Sequence, residues 1–360
     1  MAATVLVIGG GYGGVAVAKA LDDVADVVLV EPRDAFVHNI AALRELVDPD
    51  WSGRLFFPYG RLLSRGRIVR DRAVRVDGSG VELASDERIV ADYLVLATGS
   101  RYPFPAKPDL DDSTAARARF RAAHGALTRA DGVLLLGAGP AGLELAGEIK
   151  AAWPGKRVTV VDPAEDILAG GFVDDFRAEL RAQLAALDVE LVLGTALREE
   201  PPSEPGETRT FTVTTRSGRE ITADLWFRCF GVVPVSDCLT GELAPARRRD
   251  GHVEVTGELR LPGQRNVFAV GDVTALPEAK LAKAAGEHAA VVAHNIGALI
   301  RGSGDLTTYT PAPPAISLPL GPHGGASYAP GRGVLGAEAT SRLKGADLRV
   351  GSYTELFGLD

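Results

Sequence analysis

Only two cysteines, Cys229 and Cys238, occur in the 360 residues. They stand nine apart and late in the chain, so they can build neither a disulfide framework nor a multi-cysteine metal site. The C-x₄-C and C-x-x-C spacings of a redox disulfide are missing as well, so any electrons handled here must leave a cofactor directly. No apolar run reaches the roughly 18 residues that a membrane-spanning helix needs. No block of Lys or Arg stands out, and the formal net charge is −8. Nucleic acid and anionic membrane are therefore disfavoured as general partners. Residues Met1-Ala2-Ala3-Thr4 lead straight into an apolar strand, leaving no room for a secretory signal, and Ala2 excludes N-myristoylation. The expectation is a cytoplasmic protein without a metal. With 46% hydrophobic and 24% charged residues, the chain has an ordinary globular composition. Its length suits about two to three domains.

Glycine is plentiful and placed with purpose. The run Val5-Leu6-Val7-Ile8 ends in Gly9-Gly10-Gly11-Tyr12-Gly13-Gly14, a G-x-G-x-x-G pattern between an apolar strand and an Ala/Val-rich helix. Gly9 allows the tight turn, Gly11 admits a pyrophosphate, and Gly14 lets the helix pack on the strand. The helix N-terminus offers oriented N–H groups to the phosphates. A second strand, Val27-Val28-Leu29-Val30, closes on Glu31, 20 residues after Gly11, where a carboxylate accepts from ribose hydroxyls.

The design then returns. Val133-Leu134-Leu135-Leu136 leads into Gly137-Ala138-Gly139-Pro140-Ala141-Gly142, and Val158-Thr159-Val160-Val161 closes on Asp162. Leu96-Ala97-Thr98-Gly99 is matched by Arg228-Cys229-Phe230-Gly231, with offsets of 128 to 132 residues throughout. Two fingerprints at one spacing imply two dinucleotides. Asp162 stands where a 2′-phosphate would sit and no Arg follows directly, so NADH is expected over NADPH.

The remaining chain reads in order. Ala41 to Val47 forms a short helix, from which Arg44 either reaches a pyrophosphate oxygen or stays solvated. His38 either faces a ring or is a buried, hydrogen-bonded core residue. Gly66 to Val76 and Val81 to Ile89 read as strands. Pro103, Pro105 and Pro108 mark a crossing between domains. Residues 111 to 130 and Phe172 to Leu187 read as helices, and Thr210 to Thr215 with Arg219 to Thr222 as a hairpin. The strand Asn266 to Val270 ends at Gly271-Asp272, before a helix over Ala279 to Ile300 whose positive N-terminus suits an anionic ring. From Thr307 the chain reads as a small α+β cap.

On these residues, above all Asp34 to Arg44, Leu96 to Ser100 with Pro103-Phe104-Pro105, and Val270-Gly271-Asp272, the chain resembles the two-dinucleotide-binding-domain flavoproteins. It is most similar to the apoptosis-inducing-factor-like and ferroptosis-suppressor NAD(P)H:quinone reductases, with type II NADH dehydrogenases more distant. The resemblance spans nearly the whole chain. It implies an α/β fold of two Rossmann-like domains: FAD at 1–108 and 233–300, NAD(P)H at 109–232 inserted within it, and a C-terminal α+β region at 301–360. FAD would contact Gly9, Gly11, Tyr12, Gly13, Gly14, Glu31, Arg44, Ile68, Ala97, Thr98, Gly99, Gly271, Asp272 and Lys280. Asp272 would hold a ribityl hydroxyl, and Lys280 would face the isoalloxazine. NADH, or NADPH, would contact Gly137, Gly139, Pro140, Ala141, Gly142, Glu144, Asp162 and Gly231. Glu144, near the nicotinamide, and Lys280 are the candidate catalytic residues; Lys344 matches a family lysine.

The implied reaction passes hydride from the nicotinamide to flavin N5 and electrons on to a small, quinone-like acceptor. Lys283 replaces the family tyrosine beside the quinone cavity, and 341–359 lacks a broad apolar face, which favours a soluble acceptor over a lipid-embedded one. Two other readings stay open: a reductase for a protein electron carrier or a dedicated biosynthetic molecule, and a non-enzymatic flavin/NADH redox sensor. Peripheral membrane contact stays open as well, and monomer and homodimer are both compatible.

Overall fold

In the computed structural model, which describes residues 2–359, two parallel sheets carry the two glycine motifs. The first sheet runs in the order Val267–Ala269, Tyr93–Leu96, Thr4–Ile8, Asp26–Val30, Arg67–Val69, with every neighbouring pair parallel. The second runs Val189–Val192, Arg157–Val161, Gly132–Leu136, Leu225–Arg228, again all parallel. All strands of the second sheet fall in sequence between two strands of the first. The chain leaves one sheet and later re-enters it, and Ser100–Arg101 pairs antiparallel with Val233–Pro234 where the two passages cross.

The unbroken apolar strands are explained by burial on both faces. Val5 and Val7 pack into one cluster with residues of helices α1 (Tyr12–Leu21) and α6 (Ala282–Ile300), whereas Leu6 and Ile8 pack into another with Val76, Val81 and Ile89. The second sheet repeats this: Val133 and Leu135 join Leu143 and Ile149 of α4 (Pro140–Ala152), and Leu134 and Leu136 join the hairpin residues Phe211, Val213 and Ile221. Helices α2 (Ala42–Val47), α3 (Ser113–Arg129) and α5 (Asp174–Ala186) fall within or close to their expected spans.

The region after α6 is α+β. A three-stranded antiparallel sheet, Ile316–Leu320, Gly324–Ala329 and Gly333–Leu335, puts Leu318 and Leu320 into the cluster of the second domain. It is followed by α7 (Ala337–Thr340) and α8 (Val350–Leu356), and Tyr353 of α8 stacks on Phe36 of the first domain at 5.4 Å. This region thereby touches the surroundings of both parallel sheets.

Two expected strands are each divided. Gly66 to Val76 becomes Arg67–Val69 in the first sheet and Ala73–Asp77 in a separate antiparallel sheet. Between them the chain turns at Asp71, whose carboxylate accepts from Arg72 N–H at 2.6 Å. Val81 to Ile89 is split into Gly80–Leu83 and Arg88–Val90 by a turn in which Asp86 takes φ +66°, a left-handed conformation that Asp tolerates. In both cases apolar residues flank a local polar turn that periodicity does not register. Among the described residues no helix is long and apolar enough to cross a membrane.

Candidate functional site

Each glycine motif is built the same way. Gly9 has φ +104°, and a Cβ on Gly14 would lie 1.8 Å from the Gly9 carbonyl oxygen. Turn and packing thus demand both glycines. Gly11 is different: a Cβ there would meet nothing within 4 Å, and its φ of −77° is open to any residue. Its missing side chain leaves space for something other than protein. The second motif reproduces this at Gly137, Gly142 and Gly139. Gly11 and Gly139 are the N-caps of α1 and α4, and neither helix has a side-chain cap. Their free N–H groups face that space, which is the geometry of a phosphate site.

The acids are equivalent in detail. Glu31 is 4% exposed and accepts from Gly10 N–H at 2.6 Å and Arg33 N–H at 3.0 Å. Asp162 accepts from Ala138 N–H at 2.6 Å and Ala164 N–H at 2.8 Å. Each carboxylate is fixed by its own glycine loop and lines a cavity.

The first groove is enclosed by segments far apart in sequence. Tyr12, Thr98, Gly99, Gly271 and Asp272 line it together with Ala282 and Ala285 of α6. Thr98 Oγ donates to the Val235 carbonyl, and Val235 and Cys238 line the far end, beyond Glu31. Asp272 accepts from Ser100 Oγ at 2.5 Å and from Lys107 Nζ at 3.2 Å. Burial alone would raise the Asp272 carboxyl; the Lys107 ammonium and the Ser100 hydroxyl outweigh it and hold the group below its ordinary range.

Lys107 is the functional candidate that sequence reasoning missed. It lies inside the proline-rich crossing, where no periodicity or motif singles it out. Lys280 does not occupy the groove. It lies two residues before α6 begins; its ammonium donates to the Thr274 and Leu276 carbonyls at 2.8 and 2.9 Å, and its charge helps to hold the Asp272 carboxyl low.

Arg44 is neither solvated nor at a phosphate. It is 4% exposed and donates to both Glu148 oxygens at 2.6 and 2.7 Å and to the Gly345 carbonyl at 2.9 Å. It thus ties α2 to α4 and to the C-terminal region. Ile68 packs against the cluster containing Leu29 and Leu62 instead of lining the groove. His38 is fully buried, with Nε2 2.8 Å from the Leu348 carbonyl, and burial lowers its pKa to about 4. Glu144 and Lys344 meet at 2.7 Å, and Lys344 also donates to the Ser317 carbonyl at 3.2 Å. Lys283 is 70% exposed and pairs with Glu287, one turn on, at 3.5 Å.

The second cavity is lined wholly from the segment between Leu136 and Phe230. It lies against Gly137 and Asp162 and is bounded by Leu197, Arg198, Glu199 and Phe230. Gly231 follows at φ +97°, as Gly99 does at φ +64° in the first motif. Both cysteines are free and buried. Burial pushes the Cys229 thiol up to about 12 and the Cys238 thiol up to about 11, so neither provides a thiolate near neutral pH. Among the described residues no cluster of His, Cys, Asp and Glu suits a metal ion.

Residues 3–289 match the family model described as pyridine nucleotide-disulphide oxidoreductase. The chain is 30% identical to Ferroptosis suppressor protein 1 of Taeniopygia guttata, over 98% of this chain and 95% of that protein. It is 29% identical to Apoptosis-inducing factor homolog B of Dictyostelium discoideum, over 97% and 95%. Among solved structures, the sulfide:quinone oxidoreductase of Aquifex aeolicus superposes with a TM-score of 0.77 at 20% identity, covering 99% of this chain and 92% of that one.

Proposed function

The chain belongs to the pyridine nucleotide-disulphide oxidoreductase family and is an FAD-dependent, NAD(P)H-using oxidoreductase; from that premise we propose that it reduces a small, soluble, quinone-like acceptor with NADH as the preferred donor. FAD is assigned to the groove of 1–108 and 233–300, and NADH to the cavity of 109–232. The supporting observation is the doubled constellation: two uncapped helix N-termini, each behind an open glycine and beside an acid fixed by the backbone amide of its own glycine loop.

When bound, FAD supplies an acceptor for the nicotinamide hydride and a donor to the second substrate. The chain's part is positioning. α1 and α4 direct N–H groups at the two pyrophosphates, and Glu31 and Asp162 take ribose hydroxyls with their remaining lone pairs. Lys107 keeps Asp272 ionised and therefore able to accept from a hydroxyl. In this cavity the carboxylates of Asp162, Glu199 and Glu200 outnumber the one guanidinium, Arg198, a balance that disfavours a 2′-phosphate and supports NADH. The inert thiols leave no relay through sulfur, which supports an acceptor small enough to meet the flavin directly. Two free cysteines also suit a reducing compartment, and cytoplasmic residence is part of the proposal.

An acceptor screen tests this. Water-soluble benzoquinones and naphthoquinones should turn over with NADH well above the rate with oxygen. Turnover confined to a ferredoxin or rubredoxin would replace the quinone-like acceptor with a protein carrier.

A further inference from the structure

Behind the first groove lies a buried polar cluster that the proposed reaction does not use. His288 of α6 is 1% exposed. Its Nδ1 accepts from the Gly271 N–H at 3.0 Å, and its Nε2 lies 2.7 Å from Glu278 Oε1. The other Glu278 oxygen accepts from Tyr309 Oη at 2.7 Å. Tyr309 packs edge-on to the imidazole, with centroids 4.4 Å apart. Gly271 takes φ +74°, and its carbonyl accepts from Thr274 Oγ at 2.9 Å. The next residue is Asp272, which lines the groove.

We propose that His288, oriented by Glu278 and Tyr309, is a positioning residue that fixes the Gly271–Asp272 turn and thereby sets how tightly the first groove holds FAD. The hydrogen-bond pattern admits one tautomer. A backbone N–H can only donate, so Nδ1 must be the acceptor. The proton then lies on Nε2, where the Glu278 carboxylate receives it. Glu278 removed, the ring is free to carry its proton on Nδ1, which would set two donors against each other at Gly271. Burial holds the imidazole below its usual pKa against the pull of Glu278, in keeping with a neutral ring. A partner of this kind, one bond removed from the ligand-binding residue, orients it as outer-shell groups orient metal ligands. Lys280 belongs to the same support: its carbonyl bonds at Thr274 and Leu276 close the loop that Glu278 leaves.

The test separates this role from general stability through conservative pairs. Asn places an acceptor near Nδ1, whereas Gln places one near Nε2 and leaves Gly271 N–H without a partner. His288→Asn should therefore hold FAD within about threefold of the wild type, and His288→Gln should weaken it about tenfold, the loss of one buried hydrogen bond. Glu278→Gln keeps an acceptor for Nε2–H and should be spared, while Glu278→Ala should match His288→Gln. The readouts are FAD dissociation constants from apoprotein and the position of the visible flavin bands, with thermal midpoints measured alongside. Equal FAD affinity across all four variants, or losses in Asn and Gln variants that follow only their thermal midpoints, overturns the proposal. Should His288→Gln not fold, Glu278→Ala against Glu278→Gln carries the test alone. The inference rests on FAD occupying the first groove: wild-type protein that takes up no FAD sinks that assignment, whereas uniform affinity among variants sinks only this one.

Discussion

The two nucleotide sites share a motif and differ in what surrounds it. Glu31 and Asp162 accept from equivalent backbone amides, and Gly11 and Gly139 open onto equivalent spaces. The first groove, however, is closed by Lys107, Val235, Asp272 and α6, which arrive from four separate stretches of chain. The second is bounded by residues of its own domain. A site assembled from distant segments cannot release its ligand without disturbing several of them. A site walled by one domain can exchange freely. The difference matches a resident FAD and a donor that arrives and departs with every turnover.

The largest effect should come from cutting the tie between the two regions. Arg44→Ala leaves Glu148, 3% exposed, as an uncompensated buried charge and should cost about 3–5 kcal/mol of stability, read by denaturant unfolding. The protein that remains folded should show unaltered flavin bands, because Arg44 does not touch the groove. A spectral shift without loss of stability would return Arg44 to the cofactor.

Next are the two open glycines. A Cβ at Gly11 or Gly139 meets no protein atom within 4 Å and no backbone strain, so Gly11→Val and Gly139→Val should both fold. Gly11→Val should lower FAD affinity about a hundredfold, as its side chain displaces the pyrophosphate from the α1 amides. Gly139→Val should keep FAD and raise KM for NADH instead. Identical phenotypes would erase the distinction between the sites. Within the second site, Asp162→Ala should raise kcat/KM for NADPH relative to NADH about tenfold. A wild-type preference for NADPH would contradict the present assignment. Smallest of all, Lys283→Ala should change neither the thermal midpoint nor turnover, since the side chain is exposed and its ion pair with Glu287 lies at the surface.

What the sequence made legible follows the range over which each feature is encoded. The glycine turns, the acids closing the second strands and the matching offsets lie within short stretches, and each appears where expected. Arg44 is set by residues far off in sequence, a carboxylate 104 positions away and a carbonyl 301 away, whereas Lys280 is held by two loop carbonyls four and six residues back that no motif announces. Lys107 belongs to no motif: its ammonium is set by Ser100, seven residues back, and by Asp272, 165 residues later. His288 reads in sequence as one polar residue in an Ala-rich helix, and only the fold shows that it stands behind Gly271.

The central claim is that these two sites hold nucleotides close enough for one to reduce the other. Anaerobic titration of the FAD-loaded protein with NADH tests it most directly. The visible flavin band should bleach in proportion to added NADH and reach completion near one equivalent. NADH that binds without bleaching the flavin would contradict the account.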